Sequence, residues 1–183
     1  MTQVAAHSSL VGGSTASRVM ACPGSVALVA KMPPKPGSKY ADEGTLLHDV
    51  MSDLLSSDKQ IMDFLGRKYN GIELTQDLID DKIAPALQAL NTIDPEGVME
   101  LEVESRVGFG TMIPDAFGST DVLGRLGKRT IILDWKFGDG VAVEAENNKQ
   151  LLFYAAAARL TEETKWAFEG TEELRSEEHT SEL

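Results

Sequence analysis

The segment Arg129-Thr130-Ile131-Ile132-Leu133-Asp134-Trp135-Lys136-Phe137 is the strongest strand signal in this chain. Its β-branched and aliphatic residues favour a strand that is buried for most of its length. Asp134 and Lys136 stand two positions apart at the polar end, so their side chains leave the same face. Taken alone, an Asp-x-Lys pair in that position is an edge ion pair or a solvated strand end. The rest of the chain decides whether it is more.

Working upstream, Leu126-Gly127-Lys128 makes a tight connection to a short strand over 121–125, led in by Gly118-Ser119-Thr120. Before it, Met99, Leu101, Val103 and Ser105 alternate with Glu100, Glu102, Glu104 and Arg106, the period-two pattern of a strand with one charged face. These three strands suit an antiparallel meander. Downstream, 147–160 returns to a helical pattern, and 165–168 reads as the opening of a further strand.

The N-terminal half is helical. After a loose lead-in over 1–13, Ser14 is placed to cap a short helix over 15–20, and 25–30 forms another turn or two. Three prolines mark a loop over 32–38. Leu46, Leu47, Val50, Met51, Leu54 and Leu55 recur at steps of three and four, predicting an amphipathic helix over 41–55. Residues 59–69 read as helical. Thr75 then caps a long helix to 93, which Asp94-Pro95-Glu96-Gly97 breaks. The fold class is therefore α/β, with a helical N-terminal half, the sheet in the C-terminal half and no internal repeat.

With 183 residues, 42% hydrophobic and 25% charged, the chain has the size and make-up of one soluble globular domain. No stretch has the roughly 18 apolar residues that span a bilayer, and no membrane partner is expected. The single cysteine, Cys22, cannot form an internal disulfide, which points to a reducing compartment such as bacterial cytoplasm. A net charge of −12 argues against a protein that coats nucleic acid. It leaves open an enzyme that touches DNA at one acidic, metal-loaded site, because a bound cation reverses the local sign.

The last nine residues, Arg175-Ser176-Glu177-Glu178-His179-Thr180-Ser181-Glu182-Leu183, resemble a frame translation of a sequencing adapter. The expectation is one domain over 1–174, truncated at its C-terminus, followed by a non-native tail over 175–183. His179 then carries no functional weight.

Asp121 lies thirteen residues before Asp134, on the neighbouring strand of a tight hairpin, which places the two carboxylates near one end. Paired carboxylates are costly unless a cation joins them, and hard oxygen ligands suit Mg²⁺ or Mn²⁺. A lysine beside them has work in phosphodiester hydrolysis: orienting the attacking water or stabilising charge on the phosphate. Pro114-Asp115 is a literal Pro-Asp pair, but it falls in a loop, so Asp121 is the preferred carboxylate. The strand carrying Glu100, Glu102 and Glu104 reads as a solvated acidic face, with one of the three as a further candidate near the metal.

The series Gly118-x-x-Asp121, Asp134-x-Lys136 and Gln150-x-x-x-Tyr154 resembles the motif order of the RecB-like branch of the PD-(D/E)XK nuclease superfamily. Glu43-Gly44-Thr45-Leu46-Leu47-His48 resembles that branch's helical histidine segment, and Ser14 to Cys22-Pro23 resembles its N-terminus. Residues 7–170 resemble a phage- and prophage-associated family of the branch that is largely uncharacterised. The resemblance implies a restriction-endonuclease-like core, a central mixed sheet flanked by helices. It implies a metal-dependent DNA nuclease, an exonuclease of phage recombination or repair working in the cytoplasm of a bacterial host, with DNA and a phage single-strand annealing protein as partners.

By position, His48, Asp121 and Asp134 would be metal ligands, with Asp121, Asp134, Lys136, Gln150 and Tyr154 the catalytic set. Gln150 and Tyr154 are one helical turn apart and project together; packing on the sheet is their alternative reading. Cys22 would join an iron–sulfur cluster only in an untruncated protein, since four thiolates are normally required. The rival reading is a non-catalytic nuclease-like module that binds DNA or a partner. The acidic charge and the truncation favour it; the presence of every catalytic residue type weighs against it.

Overall fold

A computed structural model describes residues 8, 11–33, 37–137 and 145–180, with backbone alone for 178–180. Most of the lead-in 1–13, part of the proline loop 32–38 and the end of the tail 175–183 lie outside the described residues. The chain divides into two units. One comprises Met1–Pro34, Glu100–Leu133 and Glu144–Glu177; the other comprises Lys35–Met99, Asp134–Val143 and Glu178–Leu183.

In the first unit, helices α1 (Gly13–Ala21) and α2 (Ser25–Val29) precede strands β3 (Glu100–Gly108) and β4 (Phe117–Leu126), the first part of β5 (Arg129–Lys136), helix α6 (Lys149–Leu160) and most of β6 (Glu173–Thr180). The numbering follows chain order, β1 and β2 belonging to the second unit. The sheet order is β3-β4-β5-β6. β3 and β4 pair antiparallel from Glu100↔Arg125 to Gly108↔Phe117, and β4 and β5 pair antiparallel from Val122↔Leu133 to Leu126↔Arg129. Gly127 turns the second hairpin with φ +58°, a conformation glycine adopts without a Cβ penalty. β6 starts beside the start of β5, where the Glu172 and Glu173 amides donate to the Lys128 carbonyl at 2.8 and 3.2 Å. The β5–α6–β6 connection is thus a parallel crossover, and the sheet is mixed, as expected for an α/β fold.

The strand boundaries move relative to the sequence reading. Gly118, Ser119 and Thr120 are buried and paired with β3, so β4 begins at Phe117 and Asp121 sits mid-strand. The expected strand at 165–168 is instead a 3-10 helix over Glu162–Phe168. Threonine hydroxyls hold that segment: Thr164 Oγ1 donates to the Ala158 carbonyl at 2.7 Å, and Thr164 and Ala167 bury one side of it. The expected cap at Ser14 is also displaced, because α1 begins at Gly13 and the Gly12 amide donates to Thr15 Oγ1 at 2.9 Å.

The core of this unit lies between the sheet and α6, where Val107, Leu123 and Ile132 meet Leu151, Tyr154, Ala157 and Ala158. Alanines on α6 let the helix lie close to the strands. Each large apolar side chain buried here contributes about 1.5–3 kcal/mol.

In the second unit, α3 (Lys39–Leu55) buries Leu46, Leu47, Val50 and Met51 along one stripe, with Ser38 Oγ capping its start by accepting from the Ala41 amide. Residues 59–69, read as helical, hold only a 3-10 turn (Ile61–Phe64) and then strand β1 (Lys68–Tyr69). β1 pairs with β2 (Ile72–Glu73) across Asn70-Gly71, both at positive φ. Asn-Gly is a strong two-residue hairpin signal, and it overrides helical propensity here. The long helix after Thr75 is capped as expected, Thr75 Oγ1 accepting from the Leu78 amide. It is not continuous. α4 (Gln76–Leu78) passes into a π-helical turn (Ile79–Ile83) and then α5 (Ala84–Ile93). Pro85 lacks the N–H that an α-helical ladder needs, and the wider turn absorbs the break. Among the described residues no helix is long and apolar enough to cross a membrane.

Candidate functional site

β5 reads buried from Thr130 to Trp135 and becomes half-buried at Lys136. Asp134 is only 4% exposed, and its Oδ2 is ion-paired with Lys136 Nζ. Period-two geometry puts both on one face, as the sequence predicts. A carboxylate removed from water at the end of a buried strand needs charge-assisted hydrogen bonds, since its desolvation costs several kcal/mol. Trp135 and Phe137, on the alternate positions, are both buried and stack with ring centroids 6.4 Å apart. His48 projects from α3 edge-on to the Phe137 ring, centroids 5.2 Å apart. The structure therefore sets the helical histidine beside the residue that follows Lys136.

Asp121 is half-buried in the middle of β4, directly before Val122, which pairs with Leu133 of β5. On the β3 side Asp121 meets Glu104. Glu104 occupies the place on β3 between the pairs Val103↔Val122 and Ser105↔Thr120, and carboxylate oxygens of Glu104 and Asp121 lie within 4.8 Å of each other. Ser119 Oγ donates to Glu104 Oε2 at 3.0 Å. Glu104 also holds φ +52°, the left-handed region, at a cost of roughly 1–3 kcal/mol for a residue with a Cβ. Asp115, the rejected alternative, is exposed in the β3–β4 loop at φ +64°.

Two carboxylates at that separation repel by about 1 kcal/mol in water and by several times that in a less polar setting. A divalent cation relieves that repulsion, and an all-oxygen donor pair fits Mg²⁺ or Mn²⁺. Glu104 is the residue that the sequence reading leaves in a group of three; alternation narrows the choice to one face, but only the cross-strand register singles it out.

On α6, Asn148 caps the helix by accepting from the Gln150 and Leu151 amides. Gln150 Nε2 donates to the Tyr154 hydroxyl at 3.2 Å, so the structure brings this pair together. The Tyr154 ring is buried in the sheet–helix core and packs on two glycines. A Cβ at Gly13 would fall 2.4 Å from Tyr154 Cζ, and one at Gly118 would fall 3.0 Å from Cε1. The glycine in Gly118-x-x-Asp121 thus has a packing reason. Gly13 plays the same part on α1, with no periodic signal in the sequence to announce it. Cys22 is an exposed free thiol.

The chain belongs to the family described as "Protein of unknown function (DUF2800)", whose model matches residues 7–170. No solved structure matches the chain.

Proposed function

We propose that this protein is a metal-dependent deoxyribonuclease of the RecB-like PD-(D/E)XK type, an exonuclease of phage recombination or repair that hydrolyses DNA phosphodiesters. The observation that carries the reading is the pair Asp134–Lys136, a buried carboxylate and its ammonium on one face at the polar end of β5. Asp121 and Asp134, with His48, are the proposed ligands of Mg²⁺ or Mn²⁺, and the proximity of Glu104 to Asp121 adds a further oxygen donor. A bound divalent ion would polarise the phosphate and lower the pKa of a water ligand.

The side chains supply the rest. Lys136 is a third exposed, so its ammonium can leave Asp134 and stabilise charge that develops on a phosphate oxygen. Asp134, held at a fixed point by a buried strand, loses little freedom on binding a cation. Gln150, positioned by its hydrogen bond to a buried ring, presents an amide to the DNA backbone. Tyr154 acts through Gln150 as a positioning residue.

The test is degradation of labelled single- and double-stranded DNA with Mg²⁺ and with Mn²⁺. Activity that requires the metal and disappears in Asp134→Ala and Lys136→Ala supports the reading. A folded protein that leaves both substrates intact with both metals refutes it. Calorimetric titration with Mn²⁺ then separates an inactive nuclease-like module, which needs no ion at Asp121 and Asp134, from a metal-loaded enzyme.

A further inference from the structure

The charge of this chain is distributed unevenly. Residues 1–41 contain Arg18, Lys31, Lys35 and Lys39 and no Asp or Glu, so the net −12 of the whole becomes −16 over residues 42–183. The same N-terminal stretch exposes apolar side chains that a folded domain ordinarily hides. α2 has no buried residue, and Met20, Leu28 and Met32 are 66%, 64% and 59% exposed. Arg18 on α1 donates from Nη1 to Ser25 Oγ on α2 at 2.7 Å, which ties the two short helices together and fixes its guanidinium between them.

We infer that the α1–α2 face, with Arg18 and Lys31 as its cations and Met20, Leu28 and Met32 as its apolar surface, is where this protein docks the backbone and bases of a single-stranded nucleic acid. The inference rests on the nuclease reading above, and it names the surface that reading lacks. A substrate carrying one charge per nucleotide is repelled by most of this chain. At physiological salt, charges further than about 8–10 Å away are largely screened, so docking is governed by the cations at the contact itself. Exposed bases offer apolar faces for side chains such as Leu28 and Met32 to cover, which a duplex does not. An anionic membrane would match the same charge, but α2 is five residues long and has no charged face opposite an apolar one.

The experiment compares the wild type with Leu28→Glu/Lys31→Glu. Both positions are exposed, so the fold should survive, and circular dichroism checks it. Binding of a fluorescent oligonucleotide is followed by anisotropy in EDTA, where no hydrolysis runs, over a range of salt. The expected result is at least a tenfold weaker affinity and a shallower dependence of log Kd on log salt, by roughly 0.7 for each phosphate that is no longer neutralised. Lys31→Arg should retain wild-type binding. Mn²⁺-dependent hydrolysis of bis(p-nitrophenyl) phosphate, which has no bases and no further phosphates to dock, should be unchanged in the double variant.

Unaltered affinity and salt slope in the double variant overturn the inference. So does a wild type that binds equimolar phosphatidylserine–phosphatidylcholine vesicles but not the oligonucleotide. Salt-sensitive binding that the variant loses, with no hydrolysis of bis(p-nitrophenyl) phosphate or of DNA by the wild type when Mg²⁺ or Mn²⁺ is supplied, supports the docking face and refutes the nuclease.

Discussion

Replacing Gly13 with alanine places a methyl group where the Tyr154 ring already lies. The alanine Cβ would sit 2.4 Å from Cζ, 2.5 Å from Cε1 and 2.7 Å from the hydroxyl oxygen. Ordinary carbon–carbon contact is about 3.5–4.0 Å, so α1 or the ring must move by about 1 Å or more. Neither moves freely. The ring is packed among Leu123, Ile132 and Leu151, and its hydroxyl is bonded to Gln150. Overpacking of this kind costs about 1–3 kcal/mol, and alanine's better helix propensity returns at most about 1 kcal/mol. The expected net loss is about 1–2 kcal/mol, a fall in melting temperature of roughly 2–8 °C for a chain of this size.

Gly44 provides the control. It lies inside α3, and a Cβ built there meets nothing within 4 Å. Gly44→Ala should therefore raise stability by about 0.5–1 kcal/mol. Thermal melts of both variants, with Tyr154→Leu/Gly13→Ala as a relief variant, make the test. If Gly13→Ala melts at or above the wild type, or if the two alanines shift the midpoint in the same direction, the packing account of Tyr154 is wrong.

Two further predictions concern the charged groups. At Glu104, glycine should be more stable than alanine by about 1 kcal/mol, the reverse of the usual order in a strand, because φ +52° penalises any Cβ; denaturant midpoints of Glu104→Gly and Glu104→Ala settle the sign, and both should weaken Mn²⁺ binding by calorimetry. Lys136→Ala should cost about 1–3 kcal/mol, less than for a fully buried pair because the lysine is a third exposed, and a double-mutant cycle with Asp134→Ala should return a coupling of at least about 0.5 kcal/mol. A cycle that closes at zero would mean the pair is a crossing of two independent side chains.

The parts of the fold that were legible in the sequence are those where one periodicity runs long enough to dominate. α3 shows its stripe through Leu46, Leu47, Val50 and Met51, and β5 announces itself as a buried run ending in charge. Where a single residue sets the backbone, periodicity says little. Asn70-Gly71 makes a hairpin out of a segment that reads as helix, and Pro85 widens a helix into a π turn without ending it. Thr164 winds 162–168 into a 3-10 helix against a strand-like pattern.

The site follows the same division. Asp134 and Lys136 are two apart on one strand, so alternation alone unites them. Gln150 and Tyr154 are one helical turn apart, so 3.6 periodicity unites them. Glu104 and Asp121 meet only through the register of two strands, and Gly13 meets Tyr154 only through the tertiary fold, neither of which a local pattern encodes.

That last contact has a consequence for how the protein is made. Gly13 and Tyr154 are 141 positions apart, yet α1 finds its packing partner in the α6 ring. At about 5–20 residues per second, a ribosome delivers Tyr154 roughly 7–28 s after Gly13. For that interval α1 has left the ribosome with no ring to close against, and closing so long a loop carries an entropic cost of its own. α1 is thus synthesised well before α6 and can dock against the Tyr154 ring only once that ring is made. Chains truncated before residue 154 should leave residues 13–21 open to protease, whereas the whole chain should protect them.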